Sequence, residues 1–286
     1  FRISKGDVLI AMSGATTGKY GIYISDETGY QNQRVGCFLI KNKSLLNNDY
    51  LLQVLRFIQP KIEKKAHGSG QPNISSKAIE DFVVPLPPLP TQLHIANILS
   101  KAENLIAQLK ESIRLLDEFL KSTFLEMFGD PVRNEKKWSK TELKNYAKVR
   151  IGPFGSLLHR EDYVQNGVPL VNPSHISEGK IFIDQELTIS KTKIKELSAY
   201  IMHEGDVVLG RRGEIGRCAV VTKKEDGYLC GTGSIYIRPT KELNAIFLYN
   251  IISSVSMRKV LENSAKGITM KNLNSGIIEN LKIPIP

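Results

Sequence analysis

The strongest constraint on this chain is that it contains the same pattern twice. Gly6-Asp7-Val8-Leu9-Ile10 returns as Gly205-Asp206-Val207-Val208-Leu209, Gly29-Tyr30 as Gly227-Tyr228, and Gly68 as Gly267. Further on, Ile79-Glu80-Asp81-Phe82 and Pro85-Leu86-Pro87 return as Ile278-Glu279-Asn280-Leu281 and Pro284-Ile285-Pro286. The offset holds at 198 or 199 over about 80 residues. A register kept that long marks a duplicated domain, with one folding plan used for both copies. The copies are unequal, because residues 141–200 of the second have no counterpart in the first. The expectation is a segment or permuted form of a longer chain, lacking the start of the first domain and a second helix after residue 286.

Between the copies runs a pattern of another period. Leu99, Ala102, Ile106, Leu109, Ile113, Leu116, Leu120, Thr123 and Met127 alternate steps of three and four, the seam of a coiled-coil-forming helix of about four heptads. Thr91 is the expected N-cap, and Gly129-Asp130-Pro131 the stop. At 1.5 Å per residue the helix should reach roughly 55 Å. A stripe on a rod of that length needs a partner helix to cover it. The expected organisation is therefore residues 1–90 as the later part of a first domain, 91–129 as the helix and 130–286 as the second domain.

Within each copy, Val8-Leu9-Ile10 and Val207-Val208-Leu209 read as buried strands that open into glycine loops, and Ile235-Tyr236-Ile237 as another strand. Tyr50-Leu51-Leu52-Gln53-Val54-Leu55 and Phe247-Leu248-Tyr249-Asn250-Ile251-Ile252 read as matching amphipathic helices. The fold class is α+β, with modest, largely antiparallel sheets.

The net charge of +10 is unevenly spread: +4 over residues 1–91, zero over 92–138 and +6 over 139–286. Two basic segments flanking a neutral one favour a polyanion partner. No apolar run is long enough for a membrane span. Cys37, Cys218 and Cys230 have no metal-ligand spacing and form no disulfide framework, which suits a reducing, cytoplasmic setting.

Several catalytic patterns fail on inspection. Gly14-Ala15-Thr16-Thr17-Gly18-Lys19 has three residues between its glycines and Tyr20 after the lysine, where a phosphate loop needs four and a Ser or Thr. Asn172-Pro173-Ser174 lacks the second proline and the aromatic of the amino-methyltransferase motif. Asp130 with Glu135-Lys136-Lys137 follows the helix stop and has no equivalent in the first copy, so it does not make a nuclease triad. No catalytic residue and no metal ligand is expected.

Two loops in equivalent places remain. The glycine loop of the second copy, Arg211-Arg212-Gly213-Glu214-Ile215-Gly216-Arg217, sets three guanidinium groups on a tight turn, suited to guanine edges or phosphates. The first copy offers Ser13, Thr16, Thr17 and Lys19 there. A later loop carries Ser69, Gln71 and Asn73 in the first copy and Lys266, Thr269 and Lys271 in the second. Gln and Asn pair naturally with adenine, and Lys and Thr with phosphate or guanine. These residues, with Asn172 and Ser174, are the candidate DNA contacts.

The proline run into the helix, Gln92, and Phe124-Leu125-Glu126-Met127-Phe128-Gly129-Asp130-Pro131 at its exit make the chain resemble the specificity subunit of type I restriction–modification enzymes. The resemblance implies two target-recognition domains, the first incomplete here, each reading half of a bipartite site in double-stranded DNA. It implies paired helices that set the spacing, methylation and cleavage on methyltransferase and restriction/translocase subunits, and S-adenosylmethionine, ATP and magnesium bound there rather than by this chain. The non-seam face of the helix, with Gln92, Glu103, Gln108, Lys110, Arg114 and Glu118, is the expected docking surface for methyltransferase subunits. Two chains could also pair through their helices. A protein–protein scaffold with an oligomerising helix is the alternative from another class.

Overall fold

The computed structural model describes residues 1–66, 71–154, 157–184, 186, 188–265 and 272–286. The chain forms two compact units, residues 1–114 and 115–286.

In the first unit, strand β1 (Val8–Ala11) lies between β2 (Tyr20–Ile22) and β3 (Val35–Phe38), antiparallel to both. Val8 and Ile10 alternate onto one face, as the period of two demands, and meet helix α1 (Asn48–Lys65). Tyr50, Leu51, Val54, Leu55, Ile58 and Ile62 recur at helical spacing on α1 and fill the same core. Asn47 caps α1 by accepting from Tyr50 N–H at 3.0 Å. A short helix, α2 (Ser76–Glu80), contributes Ile79 to that core.

The second unit repeats the plan with more layers. Strand β4 (Ser139–Glu142) precedes β5 (Ala147–Ile151), the edge of a four-stranded antiparallel sheet. Strands β6 (Val168–Val171), β7 (Val207–Gly210), β8 (Cys218–Val220), β9 (Leu229–Cys230) and β10 (Ser234–Pro239) follow, with the order β8-β7-β10-β5 in that sheet. The register is shared between repeats: Val8 faces Phe38 as Val207 faces Ile237. Strands β6 and β9 pair in parallel, the exception among the described residues, whose pairing is otherwise antiparallel.

All four residues of β7 are buried because both faces of its sheet are covered. Val207 and Leu209 join a core with Leu248, Ile251 and Leu261, while Val208 joins another with Val171, Ala219 and Tyr236. Val171, Ile176 and Ile181 of that second core lie in the stretch 141–200, which has no counterpart in the first repeat.

The helix expected over Phe247–Ile252 forms, and the helical segment it belongs to, the counterpart of α1, is broken in two. It consists of α4 (Ala245–Ser253) and α5 (Val255–Ser264), interrupted at Ser254, whose extended backbone ends one helix and whose hydroxyl accepts from Met257 N–H to begin the next. The short helix α6 (Ser275–Glu279) leads to β11 (Lys282–Ile285), which pairs with β4.

The long helix α3 runs from Leu89 to Phe128, 40 residues. It starts earlier than Thr91. The Thr91 and Gln92 N–H groups both donate to Pro88 O, at 2.9 and 3.1 Å, which places Thr91 inside the first turn rather than at the cap. Pro90 is tolerated there because first-turn N–H groups have no helical acceptor. The helix ends as expected at Gly129, whose φ of +77° turns the chain and whose N–H donates to Leu125 O at 2.8 Å. Ile106, Leu109, Ile113, Leu116 and Leu120 stand exposed along the seam. Among the described residues, no helix is long and apolar enough to cross a membrane.

Gln92 departs from the expected docking face. It is fully buried: its Oε1 accepts from Asn47 N–H at 3.0 Å, and its Nε2 donates to Leu45 O and Pro87 O at 2.7 Å each. The side chain fastens the start of α3 to the loop before α1. Glu103 is ion-paired with Arg56 of α1.

Candidate nucleic-acid interface

In both repeats the glycine loop springs from the central strand and closes on itself in the same way. Ala11 N–H donates to Lys19 O at 2.8 Å, and Gly210 N–H donates to Arg217 O at 2.8 Å. The later loop then docks on it. Ile74 N–H reaches Met12 O at 2.9 Å and Leu273 N–H reaches Arg211 O at 3.0 Å, each beside an isolated antiparallel bridge, Ser13 with Asn73 and Arg212 with Asn272. The two loops of each copy, distant in sequence, therefore form one surface element held by backbone groups.

The candidate side chains divide between that surface and its foundation. Thr16, Lys19, Gln71 and Asn73 are exposed, and Ser13 is partly so. Thr17 is a correction: it is only 7% exposed, and its hydroxyl shares its one proton between Gly14 O and Pro72 O, 2.7 and 2.9 Å away, tying one loop to the other. Ser69 lies outside the described residues.

In the second repeat Arg212 is exposed, and Arg217 is half-buried and ion-paired with Glu214. Arg211 is the second correction. It is 4% exposed, with Nε donating to Thr232 O at 3.1 Å and Nη1 directed at Leu273 O at 3.5 Å. Burial, and then the neighbouring charge of Arg212, lower its pKa. It braces the loop from within and presents no guanidinium to a ligand. Lys266, Thr269 and Lys271 lie outside the described residues.

Asn172 and Ser174 come to the base of the same surface through the turn after β6. Pro173 packs against Gly210 and Gly233, and the Asn172 side chain packs against Gly231, so Asn172 is partly buried while Ser174 is exposed. The structure thus brings residues 172–174, 210–217 and 272–273 together. Two residues that sequence reasoning missed, Glu63 and Arg258, stand over the glycine loops from helices α1 and α5. Their positions in the sequence, on exposed helix faces, carry no signal of that placement.

A pair of interlocked loops therefore recurs in both repeats, with different polar side chains on one backbone plan. The chain belongs to the type I restriction modification DNA specificity domain family, which it matches over residues 1–115 and 135–286. It is 23% identical over 298 residues to the type I restriction enzyme MjaVIII specificity subunit of Methanocaldococcus jannaschii, covering 99% of this chain and 69% of that one. It is 22% identical over 303 residues to the Escherichia coli EcoBI specificity subunit, covering 98% and 63%. Among solved structures, the S subunit of a type I system from M. genitalium shares the fold with a TM-score of 0.63 at 15% identity, over 99% of this chain and 72% of that one.

Proposed function

We propose that this chain selects the DNA target of a type I restriction–modification system. Each loop pair reads one half of a bipartite site in double-stranded DNA, and α3 sets the distance between the halves. Methylation and cleavage are performed by methyltransferase and restriction/translocase subunits, which hold the S-adenosylmethionine, ATP and magnesium. The assembly works in the cytoplasm. The exposed seam of α3 takes a second helix, and self-pairing of two chains is one way to supply it.

The observation that carries this reading is the backbone bridge between the loops that both repeats share, Ser13 with Asn73 and Arg212 with Asn272, set against the change of exposed side chains around it. A scaffold that stays constant while its polar edge changes is what recognition of two different sequences requires. The test is co-expression with the cognate methyltransferase subunit followed by mapping of methylated adenines. A split, asymmetric methylated motif is expected. Methylation that is absent, or indifferent to this chain, refutes the proposal.

A further inference from the structure

In each repeat a glycine of the loop lies beneath a helix side chain, and the two contacts match in geometry but differ in charge. Gly18 has φ +88°, and a Cβ placed there would stand 2.8 Å from Cγ of Glu63 on α1. Gly216 has φ +90°, and a Cβ there would stand 2.7 Å from Cγ of Arg258 on α5. Glycine is required at both places twice over, by the left-handed backbone and by the missing space. The stem of the helix residue therefore rests on the loop in both copies, which fixes where its charged end stands.

The charges then diverge. Glu63 is exposed and accepts from Gln59 Nε2 at 2.8 Å. Arg258 is exposed and, among the described residues, makes no ion pair; the same holds for Arg212. In the second repeat, among the described residues, the loop surface carries Arg212, Arg217 and Arg258 against Glu214. In the first, among the described residues, it carries Lys19 and the exposed Arg34, whose carbonyl accepts from Met12 N–H at 2.7 Å, against Glu63, with Thr16, Gln71 and Asn73 as neutral donors and acceptors.

We infer that the two loop pairs divide the work of binding: the second, through Arg212 and Arg258, supplies the salt-dependent grip on the phosphates of duplex DNA, and the first meets its half-site largely through uncharged groups. Phosphate contacts fix register without reading sequence, whereas neutral donors and acceptors at base edges discriminate. Arg258 joins the second surface from a helix outside the loops, and Glu63 sets a negative charge over the glycine loop that carries Lys19 on the first. The inference rests on the reading that the chain binds duplex DNA.

The test uses the full chain and a random-sequence duplex, with affinity measured from 50 to 200 mM salt. Each phosphate contact adds about 0.9 to the slope of log affinity against log salt. Arg258→Ala should flatten the slope by about 1 and Arg212→Ala with Arg258→Ala by about 2. Lys19→Ala should change it by less than that pair, and Glu63→Arg should steepen it by about 1 and tighten binding. Arg258→Gln keeps the stem over Gly216 and should lose the same slope as Arg258→Ala, which separates lost charge from a damaged fold. Wild-type binding with an unchanged slope in both Arg258 variants overturns the division of work and leaves the DNA reading intact. A wild-type chain without salt-dependent binding to any duplex overturns both.

Discussion

Arg211 donates from Nε to the carbonyl oxygen of Thr232 at 3.1 Å, so a guanidinium one residue away from an exposed arginine belongs to the interior of the loop. Neighbouring arginines thus carry different duties. Arg211→Met should destabilise the second unit by about 1–3 kcal/mol, the cost of leaving a buried acceptor without its donor. Arg212→Ala should leave stability within about 0.5 kcal/mol and reduce DNA affinity instead. Urea denaturation beside a DNA titration checks both, and equal effects on stability would contradict the assignment.

Gln92 makes a comparable interior contact at the start of α3, satisfying Asn47 N–H and two carbonyls. Gln92→Leu keeps the bulk but strands those groups. A loss of about 2–4 kcal/mol in chemical denaturation is expected from several buried groups losing partners together. A loss below about 0.5 kcal/mol would show that the amide is dispensable.

The buried cysteine of β8 gives an alkaline signature. Burial pushes the Cys218 thiol from its ordinary value near 9 up to about 12. Below pH 9 the folded and unfolded chains both hold this proton, and stability does not depend on it. Above pH 9 the unfolded chain releases the proton while the folded chain keeps it, so stability falls until the folded thiol ionises near pH 12. Cys218→Ala should reduce the alkaline slope of unfolding free energy by about 1.4 kcal/mol per pH unit in that window. Denaturant midpoints between pH 8 and 11 provide the measurement, and an identical slope in the variant would exclude Cys218 as its source.

The seam of α3 yields two predictions of one kind. Removing one heptad, residues 106–112, should shorten the preferred spacer by the axial length of about seven residues, roughly 10 Å, while both half-sites stay the same. Altered half-sites on methylation mapping would refute the spacing role. Leu109→Glu with Leu116→Glu places charges on two exposed seam positions and should abolish helix pairing, read as a smaller mass in sedimentation. A monomeric wild type would instead show that the seam is left uncovered when the chain is alone.

Much of the fold was legible because it rests on periodicity. The step of three and four that marks α3, and the Gly129 stop, translate directly into helix geometry. The buried strands Val8–Ala11 and Val207–Gly210 announce themselves through β-branched runs before glycine. The break at Ser254 was hidden because the apolar pattern continues across it and the hydroxyl cap is a local choice of the backbone.

The site was legible as two loops but not as individual contacts. Arg211 and Arg212 are the same residue type side by side, and only the approach of residues 232 and 273 turns one inward. Thr17 likewise points inward because Pro72 O lies within reach, a partner 55 residues away that no local pattern reveals. The non-seam face of α3 was read as uniformly available, yet Gln92 sits where the loop before α1 closes over it.

The link between the two loops in each copy runs through main-chain groups at Met12, Ile74, Arg211 and Leu273. Side-chain ties between the loops come from Thr17 and Arg211, and the main-chain joint itself is blind to the identity of the other residues that flank it. Outward-facing positions such as Gln71, Asn73 and Arg212 can therefore be exchanged one at a time without dismantling the element that displays them. On the proposed function, new target preferences are then within reach of single substitutions, and the two halves of a site are free to drift apart in sequence while their supports remain interchangeable.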